Sequence, residues 1–283
     1  MSQQAITPEL RRWIVEQAQA GHQPEQVLAA MKSSGWDEAV ALQALEQTLD
    51  GHLVEQAKAN GLPLHRPVPE PDLAGGRPSI WAGDREVKVL MSLRHPRIVV
   101  FGNLLSDEEC EAMRASAAAR LARSETVATS VDGSEINEAR TSDGMFFERG
   151  ENELISRIEA RLAALLDWPV DHGEGLQVLR YRPGAEYLPH YDYFDPEHVS
   201  TPAILKRGGQ RVGTLVMYLN TPAAGGATVF PDIKLDVMPV QGNAVFFSYD
   251  RPHPMTQTLH GGAPVVEGEK WVATKWLREG VFT

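Results

Sequence analysis

The feature that most constrains the fold is a series of short apolar runs in the second half of the chain, each bounded by turn residues. They occupy residues 176–181, 187–192, 213–220, 227–230, 244–248 and 271–277, and an earlier run lies at 97–101. Short strands separated by turn signals are typical of a β-sandwich or barrel. Two helical patterns precede most of them, one after Ser106 and one over 154–166. The sequence therefore predicts an α+β domain that is mainly β and backed by helices.

The beginning of the chain has a different pattern. Apolar residues recur at helical spacing in three bursts between Thr7 and Leu49, with Gly21 and Gly35 in the breaks. This spacing predicts three short helices that form a small all-α domain over residues 1–62. Residues 63–78 are rich in proline and glycine, so we predict an extended linker there and a second domain over 79–283.

Charge and cysteine usage limit the possible partners and location. The chain of 283 residues has 27 Lys+Arg against 38 Asp+Glu, a formal net charge of −11, which disfavours binding to nucleic acid or to an anionic membrane. No apolar run is long enough to predict a membrane span. Cys110 is the one cysteine, so no intrachain disulfide forms, and its place on a helix face predicts a core residue. Together with a polar N-terminus, this predicts a cytoplasmic protein.

A histidine and an aspartate alternate in one of the predicted strands. His190 and Asp192 point to the same face, where an imidazole and a carboxylate suit Fe(II), Mn(II) or Zn(II). Such a triplet often arises by chance, and taken alone it more often marks two solvated residues at a strand end. His260 supplies a second imidazole later in the chain, and we prefer it to His253, which lies between prolines in an expected loop. Residues 255–259 look strand-like and lead into His260.

A lysine enters the last predicted strand. Lys270, Val272, Thr274 and Trp276 share one face of that strand, whereas Lys275 lies on the other face and is expected to be solvated. A lysine that points into a barrel requires an anion, because an unpaired buried charge is costly. This pattern predicts an acidic cosubstrate beside Lys270.

Ordered agreement with a known family extends from Pro96 to Arg278. The matching stretches are residues 97–101, 105–110, 140–144, 181–194, 208–219, 225–231 and 260–276. In these stretches the chain resembles the 2-oxoglutarate and Fe(II)-dependent oxygenases and, within them, the catalytic domain of the prolyl 4-hydroxylase alpha subunit, of bacterial type. The resemblance implies a double-stranded β-helix, that is, a cupin-like jelly roll flanked by helices.

The resemblance also implies a role for individual residues. His190, Asp192 and His260 would hold Fe(II), and Lys270 would pair with the distal carboxylate of the cosubstrate 2-oxoglutarate. Two further residues, Tyr181 and Thr214, would help to hold that cosubstrate.

The remaining implied roles concern the substrate side and the reaction. Arg140 and Trp276 would line the side where a peptide approaches and would act with Asp192 as catalytic residues. The implied activity is that of a procollagen-proline 4-dioxygenase-like oxidoreductase, which uses O2 and releases succinate and CO2, with ascorbate as a reductant. Its substrate would be a peptide or protein that contains proline.

Three alternatives stay open at this point. In the first, the substrate would be a free amino acid or a peptide natural product. In the second, the chain would be a non-catalytic module that holds structural zinc. Structural zinc sites usually have four protein ligands and are rich in thiolates, which a chain with one cysteine does not supply. The third alternative concerns the N-terminal helices, which would bind a protein partner or mediate self-association.

Overall fold

The protein consists of two compact units. The structure, a computed structural model, describes residues 4–123, 126–127, 134–135 and 141–283. The units are Met1–His65 and Arg66–Thr283. Among the described residues, we find no helix with the length and apolar character needed to cross a membrane.

The first unit contains the three predicted helices. They are α1 (Pro8–Gln19), α2 (Pro24–Ser33) and α3 (Glu38–Ala59). The side chain of Asp37 caps α3 by accepting hydrogen bonds from two backbone amides of its first turn. The buried core is small and comes from all three helices: Ile14, Val27, Met31, Ala41, Ala44 and Leu45. Helix α3 continues past the apolar pattern that ends at Leu49, because the residues that follow are mostly good helix formers.

The second unit has three helices and seventeen strands among its described residues. The helices are α4 (Asp107–Ala118), α5 (Glu153–Leu166) and α6 (Thr201–Ile204). The strands are β1 (Ser79–Trp81), β2 (Glu86–Leu93), β3 (Arg97–Gly102), β4 (Ala122–Arg123), β5 (Thr126–Val127), β6 (Ser134–Glu135), β7 (Asp143–Phe147), β8 (Leu176–Tyr181), β9 (Tyr187–His190), β10 (Arg211–Tyr218), β11 (Ala224–Gly225), β12 (Thr228–Phe230), β13 (Leu235–Val237), β14 (Ala244–Ser248), β15 (His260–Gly262), β16 (Val265–Glu267) and β17 (Lys270–Arg278).

These strands form a jelly roll. A nine-stranded antiparallel sheet has the order β1-β2-β3-β14-β10-β17-β8-β7-β4, and a four-stranded sheet has the order β13-β12-β15-β9. One apolar cluster joins the two sheets, as Phe230 of the small sheet packs with Phe247 of the large one. A second cluster joins the outer face of the large sheet to α4 and α5. The predicted double-stranded β-helix backed by helices is therefore confirmed.

The proline-rich stretch differs from the predicted linker. We expected residues 63–78 to be an extended linker, but from Arg66 onward they belong to the second unit. The amide of Arg66 donates to the carbonyl of Asp250 (2.7 Å), and the amide of Glu70 donates to the carbonyl of Leu166 (3.0 Å). Proline removes only its own N–H, so the residues between prolines keep donors that bond to the sheet and helix layers. The predicted domain limits, 1–62 and 79–283, stay a prediction.

Lys275 is buried, so the prediction of a solvated side chain was wrong. It is 2% exposed, and its ammonium lies 2.5 Å from the carboxylate of Glu159 on α5. Helix α5 covers the face of β17 that we expected to meet water, and all nine residues of β17 are buried. Burial lowers the pKa of Lys275, and Glu159 opposes this effect.

We predict that Lys275→Met lowers the free energy of unfolding by about 3–5 kcal/mol, because it leaves the Glu159 carboxylate buried without its cation. Urea-induced unfolding of the full chain, followed by tryptophan fluorescence, measures the change.

The matched control is Lys270→Met, which removes the other buried lysine of β17. Burial depresses the pKa of Lys270, so its charge opposes folding, and its removal is expected to preserve or raise the stability. Equal destabilisation by the two substitutions would contradict the role of the Glu159 pair.

Candidate active site

Two histidines face each other across neighbouring strands of the small sheet. In the antiparallel register of β9 and β15, His190 lies opposite His260, and their ring centroids are 4.4 Å apart. Gly261 makes this pairing possible, since a Cβ at that position would lie 2.8 Å from the carbonyl oxygen of Tyr187. The sheet therefore places both imidazoles at one point of its surface.

Both imidazoles are held in the same tautomer. The Nδ1 of His190 lies 2.9 Å from the carbonyl oxygen of Leu188, and the Nδ1 of His260 lies 3.0 Å from that of Thr258. A carbonyl oxygen only accepts, so each Nδ1 carries the proton and donates it. When an imidazole held in this way is neutral, its Nε2 keeps a free lone pair, which is the form that binds a metal ion.

Asp192 completes the group from the segment that follows β9. Its Oδ1 lies 3.4 Å from the Nε2 of His190, and its Oδ2 lies 3.5 Å from the Nε2 of His260. Burial would raise the pKa of this carboxyl, but the adjacent imidazoles of His260 and His190 hold it well below its usual range. Asp192 is therefore a carboxylate at neutral pH.

The three side chains form a potential metal site. One ligand atom from each residue lies within 4.8 Å of the others. Burial lowers the pKa of His260 to about 4, so this imidazole is neutral at physiological pH, as coordination requires. Two imidazoles and one carboxylate on one side of an ion are the ligand set of non-haem Fe(II) oxygenases, which leaves other positions open. These residues fit ferrous iron.

Lys270 lies in the same cavity as the three ligands. The cavity is lined by Leu179, Tyr181, Tyr187, His190, Asp192, Val216, Thr228, His260, Gly261, Gly262, Lys270, Val272, Thr274 and Trp276. The Lys270 ammonium is 5.6 Å from the ring centre of Tyr181 and 5.9 Å from that of Tyr218. Within the part of the chain that the structure describes, no carboxylate lies within ion-pair distance of it.

This environment prepares Lys270 for an anion. The side chain is 4% exposed, and burial lowers its pKa to about 7. Aromatic faces attract the ammonium but do not neutralise it. An anionic ligand that entered the cavity would supply the missing countercharge, as the inward direction of Lys270 predicted. Tyr181 also lines this cavity, within reach of such a ligand.

Thr214 contacts a metal ligand, and its predicted contact with the cosubstrate stays a prediction. Its hydroxyl donates to Oδ2 of Asp192 (2.7 Å), and Thr214 is absent from the cavity lining. Thr228 lines the cavity instead, and its Oγ1 accepts a hydrogen bond from the hydroxyl of Tyr218 (2.9 Å). Thr228 was not among the predicted site residues, although alternation along the 227–230 run places it on the same face as Phe230.

Trp276 lines the cavity, as the alternation along β17 predicted. The guanidinium of Arg211 lies 4.1 Å from the centre of its ring and bonds both carboxylate oxygens of Glu174, at 2.7 and 2.9 Å. Arg211 and Glu174 were not among the predicted site residues. The sequence signal for this pair is the charge of Arg211 at the start of an otherwise apolar strand. Arg140 lies outside the described residues, so its role stays a prediction.

Comparisons with known proteins agree with this geometry. Residues 176–278, which include the three ligands and Lys270, match the 2OG-Fe(II) oxygenase superfamily. Probable prolyl 4-hydroxylase 3 of Arabidopsis thaliana is 39% identical over 221 residues, which cover 71% of this chain and 75% of the relative. Prolyl 4-hydroxylase 5 of the same plant is also 39% identical over 221 residues, which cover 71% of this chain and 74% of the relative.

A solved structure shows the same relationship. The viral collagen prolyl hydroxylase vCPH from Paramecium Bursaria Chlorella virus-1, in its complex with 2OG, aligns with a TM-score of 0.51 at 30% identity. The alignment covers 64% of this chain and 95% of the viral chain. The sequence and structural similarity together show that this chain belongs to the prolyl 4-hydroxylase family of the 2-oxoglutarate and Fe(II)-dependent oxygenases.

Proposed function

We propose that this Fe(II)- and 2-oxoglutarate-dependent dioxygenase hydroxylates a prolyl residue, at its 4-position, in a peptide or protein. The observation that carries the proposal is the presence, in one cavity, of a three-residue metal site and a buried lysine that has no carboxylate partner among the described residues. The names of the relatives, which are prolyl 4-hydroxylases, support the choice of substrate.

The protein prepares the metal end of the cavity before any ligand arrives. His190, Asp192 and His260 would hold the iron, which, with 2-oxoglutarate and O2, supplies the oxidation of an unactivated C–H bond and releases succinate and CO2. The backbone carbonyls behind the two imidazoles fix their Nε2 lone pairs toward Asp192. Because these groups are already oriented, little reorganisation is needed when the ion binds.

The other end of the cavity would bind the distal carboxylate of the cosubstrate. Lys270 offers an ammonium in a region that is lined by Leu179 and Val272 and is shielded from water. An ion pair in such a region is stronger than one in solvent. Trp276 and Tyr187 line the same cavity and offer apolar faces to a prolyl ring. We also propose ascorbate as the reductant and the cytoplasm as the place of action.

The substrate class is testable by product mass. Purified enzyme with Fe(II), 2-oxoglutarate and ascorbate is expected to add one oxygen atom to a proline-rich peptide, with one succinate formed per hydroxylation, and to leave free proline unchanged. Asp192→Ala removes the carboxylate ligand and is expected to abolish both products. Turnover of free proline alone would overturn the peptidyl assignment, and full activity of the Asp192 variant would overturn the metal site.

The pKa of Lys270 predicts how cosubstrate binding depends on pH. A bound carboxylate favours the ammonium, so above pH 7 binding takes up a proton, and the affinity for 2-oxoglutarate falls by up to about tenfold per pH unit. Below pH 7, Lys270 is already charged and this dependence disappears. Anaerobic calorimetry with Mn(II), in buffers of different ionisation enthalpy, measures both the affinity and the proton uptake. In Lys270→Arg the charge is permanent, so an unchanged pH dependence in that variant would refute the assignment to Lys270.

The N-terminal helices form a unit with its own core, for which we propose a role in protein binding. The partner is either a protein substrate or a second copy of the chain. If the unit recruits substrate, deletion of residues 1–62 raises KM for a whole protein and leaves turnover of a short peptide unchanged. If it mediates self-association, the deletion lowers the number of chains per particle, which sedimentation measures. Equal loss of activity on both substrates, without a change in the number of chains per particle, would contradict both roles.

A further inference from the structure

Two buried hydroxyl groups form a hydrogen-bonded chain that leads from Asp192 away from the cavity. Thr214 lies on β10, and Tyr249 follows β14, the neighbouring strand of the large sheet. The Oγ1 of Thr214 lies 2.7 Å from Oδ2 of Asp192 and 2.9 Å from the hydroxyl of Tyr249. Thr214 is 0% exposed and Tyr249 is 2% exposed. A buried hydroxyl is costly unless it is hydrogen-bonded, so this chain of polar groups requires an explanation.

The chemistry of the three groups fixes the direction of the hydrogen bonds. The Asp192 carboxylate only accepts, so the single hydroxyl proton of Thr214 points to it. The contact between Tyr249 and Thr214 must then use the proton of Tyr249, with the threonine oxygen as acceptor. Burial raises the pKa of Tyr249 further above neutrality, so the phenol keeps this proton. All donors consequently point in one direction, which strengthens each bond.

We propose that Tyr249 and Thr214 form a hydroxyl relay that positions Asp192 as a metal ligand. The relay occupies one lone pair of Oδ2 and leaves Oδ1, which faces His190, as the less encumbered oxygen for the ion. It also restricts rotation of the carboxylate group, so that the ligand is oriented before the metal arrives. Thr214 and Tyr249 are positioning residues. The inference rests on the metal site assigned under the proposed function.

Neighbouring aromatic rings hold the ring of Tyr249 in place. The ring of Tyr249 packs against the rings of Tyr193 and Phe247, with centroid distances of 6.0 and 6.2 Å. Tyr249→Phe would keep these contacts and remove only the hydroxyl. Thr214→Val would likewise keep the branched shape of the side chain. Both changes therefore isolate the hydrogen bonds from the packing.

Binding of Mn(II) to the metal-free full chain, without 2-oxoglutarate, tests the relay independently of turnover. Electron paramagnetic resonance measures the free Mn(II). We expect Thr214→Val to weaken binding by about 10- to 100-fold, the usual effect of losing a hydrogen bond to a metal ligand, and Tyr249→Phe to weaken it less. Thr214→Ser keeps the hydroxyl and is expected to restore the affinity. Because Tyr249 acts through Thr214, the double variant should bind no more weakly than Thr214→Val alone.

A second tyrosine–threonine pair in the same cavity region provides the control. The hydroxyl of Tyr218 donates to Thr228, which has no hydrogen bond to the three metal ligands among the described residues. Tyr218→Phe is therefore expected to leave Mn(II) affinity unchanged. Normal affinity in both Thr214→Val and Tyr249→Phe, or additive losses in the double variant, would overturn the relay. Absence of Mn(II) binding by the unaltered chain would instead overturn the metal site itself. Circular dichroism verifies that each variant is folded.

Discussion

Strand β17 carries a buried lysine on each of its faces, and the structure depends on how each charge is met. On the outer face, Glu159 of α5 pairs with Lys275 at 2.5 Å. On the inner face, the rings of Tyr181 and Tyr218 lie near the Lys270 ammonium, and no carboxylate of the described residues lies within ion-pair distance of it. The same residue type in the same strand is neutralised by the protein in one case and left for a ligand in the other. This difference in partners, rather than burial, marks Lys270 as a binding residue.

The metal site depends on a second constraint, the register of β9 and β15. Opposed positions bring the imidazoles of His190 and His260 together, but two strands alone do not orient a carboxylate. Asp192 lies beyond the end of β9, and the hydroxyl of Thr214 on the large sheet donates a hydrogen bond to its carboxylate. The small sheet therefore supplies the imidazoles, and the large sheet fixes the carboxylate.

Much of the catalytic fold could be predicted because local sequence patterns identify its strands. The runs at 176–181 and 244–248 became β8 and β14 with the predicted bounds, since each is a buried apolar segment between turn residues. The inward face of β17 followed from the period of two. The burial of Lys275 could not be predicted in this way, because it depends on Glu159 of a helix 116 positions away in sequence. Composition likewise shows where the prolines of residues 63–78 lie but not which carbonyl groups accept the amides between them.

The position of Thr214 illustrates the same limit inside the site. Alternation along β10 shows that Thr214 lies on a given face, but the group opposite that face comes from the segment after β9, which the local pattern cannot place. Net charge is also uninformative at this scale. The chain has a net charge of −11, yet no described carboxylate pairs with the Lys270 ammonium. The exposed charges are largely screened by solvent, whereas the buried group is not. The affinity of the site for an acidic cosubstrate is thus set by the few ångströms around Lys270, where low polarity strengthens one ion pair more than the distant acidic surface can weaken it.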